Sequence, residues 1–454
     1  MNIIPHFIRR RIAHHPNLLK IVDNVGWLFF DRVLRIGVGL IVIVWLARYL
    51  GPERFGQLNY AIAFVGLFGV LATLGLQNIV VRDVVCEPSY TEETLGSAAI
   101  LQIVSGLIAY CIIVSAITLF RSDDELVRAL VAIIGMSVLF RASEIAMYWF
   151  ESQIQSKYTV WVHNSIFFVF SILKLAFIMH SSSVIAFAWV TMLEAFITAI
   201  ILLLVMNFYG PKLVKLKVSF NRIKGLISDC WPLLLSGVAI TIYMRIDQIM
   251  IGQMVNDNEV GIYNAAIRVS EVWHFVPIML VSSAFPAILQ ERKHSKELFY
   301  KRLQHLYDIM VCLSLTIALP MTFFSTPIVA LLFGELYEPS GKVLAIHIWA
   351  AVFVFLIFIN GKWFVAEKRQ ILNMQRTFLG AIINIVLNTI MIPKFGIEGA
   401  AWATVIALSI AGCFFDLVQK ETRKIFLMKL KAFNLIRIFN NIKYYKRNYI
   451  YWID

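Results

Sequence analysis

The chain has 454 residues, of which 59% are hydrophobic and only 15% charged, with a mean hydropathy of +0.76. Soluble domains carry roughly 25% charged residues, so this composition excludes a water-soluble globular protein and places the chain in a bilayer. The net charge of +13 comes mostly from a few loops and the C-terminal tail, which argues for a basic membrane surface rather than for nucleic-acid binding.

Taken in chain order, the N-terminal segment carries Arg9-Arg10-Arg11 but no apolar run before Asp23 and no cleavage site. It reads as a cytoplasmic tail, not as a signal peptide. About twelve apolar stretches then follow, each near the roughly 20 residues that a spanning helix needs. The first set runs at roughly 25–49, 60–81, 95–120, 126–149, 158–180 and 184–208. The second runs at roughly 229–254, 260–288, 303–333, 340–365, 372–392 and 397–419. Pro232, Pro277, Pro286 and Pro320 fall inside this second set; membrane helices tolerate proline where neighbours satisfy the freed backbone groups. The predicted class is an all-α integral membrane protein. It has an N-terminal tail over 1–24, a six-helix bundle over 25–208, a basic cytoplasmic linker over 209–228, a second six-helix bundle over 229–419 and a basic cytoplasmic tail over 420–454.

The two halves resemble each other. Phe55-Gly56-Gln57-Leu58-Asn59-Tyr60-Ala61 recurs as Val260-Gly261-Ile262-Tyr263-Asn264-Ala265-Ala266, about 205 residues later. Ala188-Trp189-Val190-Thr191 recurs as Ala401-Trp402-Ala403-Thr404, about 213 residues later. Each half holds an even number of crossings, so both enter the membrane in one orientation, with a pseudo-two-fold axis along the membrane normal.

Loop charges set that orientation. Lys212, Lys215, Lys217, Arg222 and Lys224 follow the sixth span; Arg292, Lys293, Lys296, Lys301 and Arg302 follow the eighth; Lys368 and Arg369 follow the tenth. The tail adds Lys420, Arg423, Lys424, Lys429, Lys431, Arg437, Lys443, Lys446 and Arg447. The opposite loops hold Asp123-Asp124-Glu125, Asp257, Glu259, Glu335 and Glu338. The positive-inside rule puts both termini in the cytoplasm and the basic tail against anionic headgroups. The segment around 82–93 dissents, with Glu87, Glu92 and Glu93 against Arg82 on the expected cytoplasmic side.

Enzyme signatures are missing. Cys86, Cys111, Cys230, Cys312 and Cys413 lie far apart, without CxxC or a Cys/His cluster. No Walker-type phosphate loop occurs, and no loop outside the membrane exceeds roughly 20 residues by the span positions. A membrane polymerase or ligase needs a larger catalytic loop, so we expect no catalytic residue, metal or cofactor.

Ionisable residues inside the spans carry the functional signal. Insertion costs about 2.5–3.5 kcal/mol for each charge at a helix centre, yet the spans contain Asp31, Arg32, Arg35, Arg141, Glu144, Lys174, Glu194, Arg245, Asp247, Arg268, Glu271, Asp308, Lys362 and Asp416. Such a set implies a polar interior. Asp31/Arg35, Arg141/Glu144 and Arg268/Glu271 have the spacing of pairs on one helix face. Arg245 and Asp247 point apart, and Arg32 and Lys174 have no opposite charge one turn away on their own helices. We read Arg32, Arg35, Lys174, Arg245 and Arg268 as a cationic cavity that receives an anion. Asp247, Glu194, Asp308 and Asp416 are coupling or gating candidates, because a carboxyl group in low dielectric titrates nearer neutral pH; a satisfied helix–helix hydrogen bond accounts more readily for any one of them. His274 and His347 read as packing residues more readily than as proton relays. Trp45, Tyr49, Tyr148, Trp149, Trp161 and Trp363 fit interfacial anchoring.

The sequence resembles Wzx-type polysaccharide flippases. The resemblance rests on Ala47-Arg48-Tyr49-Leu50-Gly51-Pro52-Glu53-Arg54-Phe55-Gly56, on Tyr148-Trp149-Phe150 through Tyr158, on Ile246-Asp247-Gln248-Ile249-Met250-Ile251-Gly252 with Glu259-Val260-Gly261-Ile262-Tyr263, and on Gly396 through Thr404. It covers roughly residues 20–420 and implies the multidrug/oligosaccharidyl-lipid/polysaccharide exporter superfamily, with two six-helix bundles around a central cavity. It implies translocation of undecaprenyl-diphosphate-linked oligosaccharide, an O-antigen or related repeat unit, across the bacterial inner membrane by ion-coupled alternating access. A diphosphate suits guanidinium groups, which grip it through paired hydrogen bonds. The partners implied are the lipid-linked oligosaccharide, anionic lipids at the tail and other polysaccharide assembly proteins. A multidrug exporter of the same superfamily, a membrane polysaccharide polymerase or ligase, and a non-transporting scaffold stand as alternatives.

Overall fold

The computed structural model describes residues 16–292 and 294–437, with side chains from residue 34 onward. Arg9-Arg10-Arg11, Lys293, Lys443, Lys446 and Arg447 lie outside the described residues, as do the side chains of Asp31 and Arg32. Among the described residues every regular element is helical, as hydrocarbon demands of segments that must satisfy their own backbone groups.

The helices are α1 (Pro16–Thr73), α2 (Gln77–Cys86), α3 (Thr91–Phe120), α4 (Glu125–Gly135), α5 (Glu144–Ser152), α6 (Lys157–Met179), α7 (Val184–Tyr209) and α8 (Phe220–Met254). They continue with α9 (Asp257–Glu271), α10 (Phe275–Glu291), α11 (Lys296–Phe323), α12 (Ser325–Phe333), α13 (Ser340–His347), α14 (Ala350–Ala366), α15 (Gln370–Gly412) and α16 (Arg423–Ala432). Ten helical segments among the described residues are long and apolar enough to cross a membrane. The two longest each contain one non-helical glycine: Gly51 in α1 at φ 71° and Gly396 in α15 at φ 58°. A left-handed backbone suits glycine, and Pro52 directly after the first break adds a second interruption. The protein is a multi-pass membrane protein.

The chain divides into two compact units, Met1–Gly261 and Ile262–Asp454, with the boundary inside α9. In the first unit, α1 packs against α3, α6 and α8. Its core gathers Leu76, Val80, Leu95, Ile145, Tyr148, Phe150 and Met206. The core of the second unit gathers Phe299, Tyr307, Met310, Phe355, Ile359 and Trp363, together with Ile425, Met428 and Ala432 of α16. Tyr148 and Trp363 are therefore buried core residues, not interfacial anchors, whereas Trp45 and Trp161 are exposed as anchoring requires.

The dissenting acidic segment finds its explanation in the first unit. Arg222, at the start of α8, pairs with Glu87 at 2.9 Å and Asp83 at 3.5 Å, and Arg82 pairs with Asp229 at 2.6 Å. The Lys217 amide donates to the Glu92 carbonyl at 3.2 Å. The acids thus face the basic linker, which puts the 82–93 turn and the linker at the same end of the unit.

Candidate functional site

In the first unit, one polar cluster starts at a loosened helix. Between α4 and α5 the chain runs as a 3-10 helix over Met136–Ser143. In that geometry side chains three residues apart eclipse, and Arg141 closes on Glu144 at 2.6 Å. The other oxygen of Glu144 accepts from the Tyr148 hydroxyl at 3.0 Å, and Gln102 of α3 donates to that hydroxyl at 3.0 Å. One chain of hydrogen bonds therefore links α3 to the end of the 3-10 stretch.

Arg35, half-buried on α1, lies over the Phe167 ring of α6 at 5.7 Å from its centroid. Arg35 and Arg141 both fall within electrostatic reach of His163, one turn before Phe167. The Arg35 guanidinium thus reaches α6 from α1.

Lys174 is not an unpaired cation. Its ammonium donates to Glu194 Oε2 of α7 at 2.7 Å, and both side chains are largely buried. Sequence spacing missed the pair because its members sit on different helices. Arg245 of α8 is half-buried and has no ion pair or hydrogen bond to any described residue. Asp247, two residues on, is buried. The backbone of Arg32 belongs to α1, and its side chain lies outside the described residues.

In the second unit, Arg268 is half-buried on α9, while Glu271 takes no ion pair among the described residues, so the one-turn pairing of these two does not close. His347 is buried, with its Nδ1 3.0 Å from the Ser270 hydroxyl and its ring edge-on to Tyr263. That is the satisfied packing role expected of it.

Asp308 and Asp416 both have cationic partners from the C-terminal segment. Asp308 accepts from Arg437 at 2.5 Å and from Gln304 at 2.7 Å. Asp416 pairs with Lys429, and both side chains are 0% exposed. Lys429 also donates to the Gly412 carbonyl at 2.5 Å. The first part of the basic segment after residue 420 is a helix docked on α11, with its apolar face in the core. Lys420, Arg423, Lys424 and Lys431 stay exposed. Sequence reasoning counted Lys429 among the tail charges, although Ile425, Met428, Lys429 and Ala432 share one helical face.

A family model described as polysaccharide biosynthesis protein matches residues 21–291, and a second, MatE, matches residues 232–390. A probable low-salt glycan biosynthesis flippase, Agl15, from Haloferax volcanii is 25% identical over 403 residues, covering 84% of this chain and 80% of that protein. Among solved structures, the lipid II flippase MurJ in its inward closed conformation is similar with a TM-score of 0.70 at 17% identity, covering 92% of each chain. A multidrug resistance MATE family transporter of the MOP superfamily gives a TM-score of 0.69 at 14% identity, covering 90% of this chain and 99% of that one. At these identities the two structures establish the fold.

Proposed function

The chain belongs to the polysaccharide biosynthesis protein family, and from that membership we propose that it is a flippase of glycan biosynthesis. In this reading the cargo is an oligosaccharide on undecaprenyl diphosphate, an O-antigen or related polysaccharide repeat unit. The protein sits in the bacterial inner membrane with both termini in the cytoplasm. It works by alternating access coupled to an ion gradient, as a transporter and not as an enzyme. Counting the two longest of the ten apolar segments among the described residues twice, at their broken glycines, supports the expected twelve crossings in two six-helix halves.

Arg245 carries the reading. A guanidinium inside a span with no counter-charge among the described residues is costly, and an anionic cargo removes that cost on binding. A diphosphate supplies the acceptor oxygens that match the guanidinium fork. Arg35 adds a second cation on α1, with its ring contact to Phe167 fixing its direction. Arg32 is assigned to the same headgroup, Arg268 stays a candidate cation of the second unit, and Lys174 acts only together with Glu194. Asp247, buried on α8 two residues after Arg245, is assigned as a gating or coupling carboxylate, and Glu194, Asp308 and Asp416, each with a cation in contact, are further candidates. The polyprenyl tail stays in lipid. The exposed cations around α16 meet anionic headgroups, and other polysaccharide assembly proteins are further partners.

The test is complementation of a strain lacking its own flippase. Arg245→Glu and Arg32→Glu, each expressed at the wild-type level in the membrane, should abolish surface polysaccharide, and Arg245→Lys should retain part of it. Full surface polysaccharide from both glutamate variants would sink the anion-cavity reading. The MatE match over residues 232–390 favours one second reading, a multidrug exporter. Raised drug resistance on expression, without glycan complementation, would select it.

A further inference from the structure

The repeated motif with which the two halves announce themselves makes a contact with itself. Gly56 and Gly261 hold equivalent places in the two copies, and in the first unit they lie against one another. A Cβ on Gly56 would come within 2.8 Å of the Gly261 nitrogen and overlap the Asp257 carbonyl; a Cβ on Gly261 would come within 3.1 Å of the Gly56 nitrogen and overlap the Pro52 carbonyl. The post-Gly51 part of α1 and the first turn of α9 therefore cross backbone on backbone. Small residues permit that close approach.

One side chain pins this crossing. Arg121, in the turn between α3 and α4, donates through Nη2 to Asp257 Oδ1 at 2.9 Å and to the Gly252 carbonyl at the end of α8. Its Nη1 reaches Asp257 Oδ2 at 3.4 Å and Asp124 at 3.5 Å. Its guanidinium lies over the Tyr60 ring at 4.7 Å, and Gln253 donates to the Tyr60 hydroxyl at 2.8 Å. A single cation thus ties the α3–α4 turn, the end of α8, the start of α9 and the second part of α1. Asp124 and Asp257 are among the acids that the loop charges put on the outer face.

The chemistry of this joint is that of something that opens. A glycine crossing has no interdigitated side chains to disengage. The Arg121–Asp257 pair keeps 15% and 10% of its side-chain surface exposed. Desolvation of such a pair offsets much of its Coulomb attraction, so parting it returns both charges to water at small net cost while closing restores one defined register. We propose that the Gly56–Gly261 crossing is the seat of the outer gate and that Arg121 is the positioning residue that pins it shut. The pin breaks each time the interior opens to the outside. This rests on the transporter reading above and adds the residues that gate it.

The experiment reads accessibility in the full-length chain and needs no substrate. Ile251, fully buried beside Gly252, is changed to cysteine in a chain whose five native cysteines are serine. A membrane-impermeant maleimide is then applied from outside to intact cells. Arg121→Gln and Asp257→Asn should each raise the labelling rate on the order of tenfold, the range expected when one coupling interaction is lost. Gly56→Val should raise it as far and stop export, because the seat cannot close. The swap of Arg121→Asp with Asp257→Arg should return labelling toward the parent rate, which a merely misfolded variant would not do. Parent-rate labelling of Arg121→Gln, or a swap that labels as fast as the single variants, overturns the proposal. Normal gating in a chain that fails to complement glycan export would instead reject the cargo and leave the pin standing.

Discussion

Lys429 and Asp416, 13 residues apart, form an ion pair with neither side chain exposed. The contact fastens α16 to the end of the last long apolar segment. Asn360 supports it from α14, donating to Asp416 at 3.5 Å and accepting from the Tyr307 hydroxyl at 2.6 Å. Lys429→Met strands a buried carboxylate and should cost about 3–5 kcal/mol. The double variant Lys429→Met with Asp416→Leu should recover most of the loss, since an apolar pair of similar volume replaces the ions. Thermal unfolding of the purified protein in detergent reads both, and equal melting of the single and double variants would refute the pairing.

The Lys174–Glu194 pair makes a distinct prediction. Lys174→Gln alone leaves Glu194 as a half-buried negative charge near the proposed anion path and should reduce surface polysaccharide strongly. Lys174→Gln with Glu194→Gln removes both charges and should restore more than half of the parent level. Equal loss in both variants would mean that Lys174 acts on the cargo directly and independently of Glu194.

Glycines separate by what surrounds them. Gly56→Ala drives a methyl into the Asp257 carbonyl and should destabilise by about 1–3 kcal/mol, the usual cost of overpacking. Gly66→Ala, in the same helix with nothing within 4 Å of the new methyl, should instead stabilise by about 0.5–1 kcal/mol through helix propensity. Opposite shifts in melting temperature are the expected result. Shifts of the same sign would contradict the close crossing at Gly56.

Tyr148 tests the hydrogen-bond chain. Tyr148→Phe keeps the ring in the core but strands the Gln102 amide and one Glu144 oxygen, at a cost of about 1–3 kcal/mol. Adding Gln102→Leu to Tyr148→Phe should recover part of that loss, because the unsatisfied donor is removed. The two melting curves, measured side by side, check it.

Much of the architecture was legible in the residues. The apolar runs, the Gly51 and Gly396 neighbourhoods, the motif around Phe55–Ala61 and its second copy all map onto helices or helix breaks. Among the site residues, the one-turn pair Arg141/Glu144 was legible, because its partners share a helical face. Arg268/Glu271 had the same spacing and did not close, which shows that spacing permits a pair without supplying the packing that holds it. Lys174 and Glu194 were each noticed for the wrong reason, as a lone cation and a lone carboxylate.

By itself the sequence determined that the chain spans a membrane many times, that it is helical, that its halves repeat and that ionisable residues lie within its spans. Hydropathy, loop charge and burial cost act residue by residue or along one helix, so they can be summed from a string. Only the tertiary structure decided which charges neutralise each other. Glu194 lies 20 residues from Lys174, Asp257 lies 136 from Arg121, and Arg437 lies 129 from Asp308. An ion pair depends on helices placed side by side, and charge attraction falls with distance in space, not along the chain.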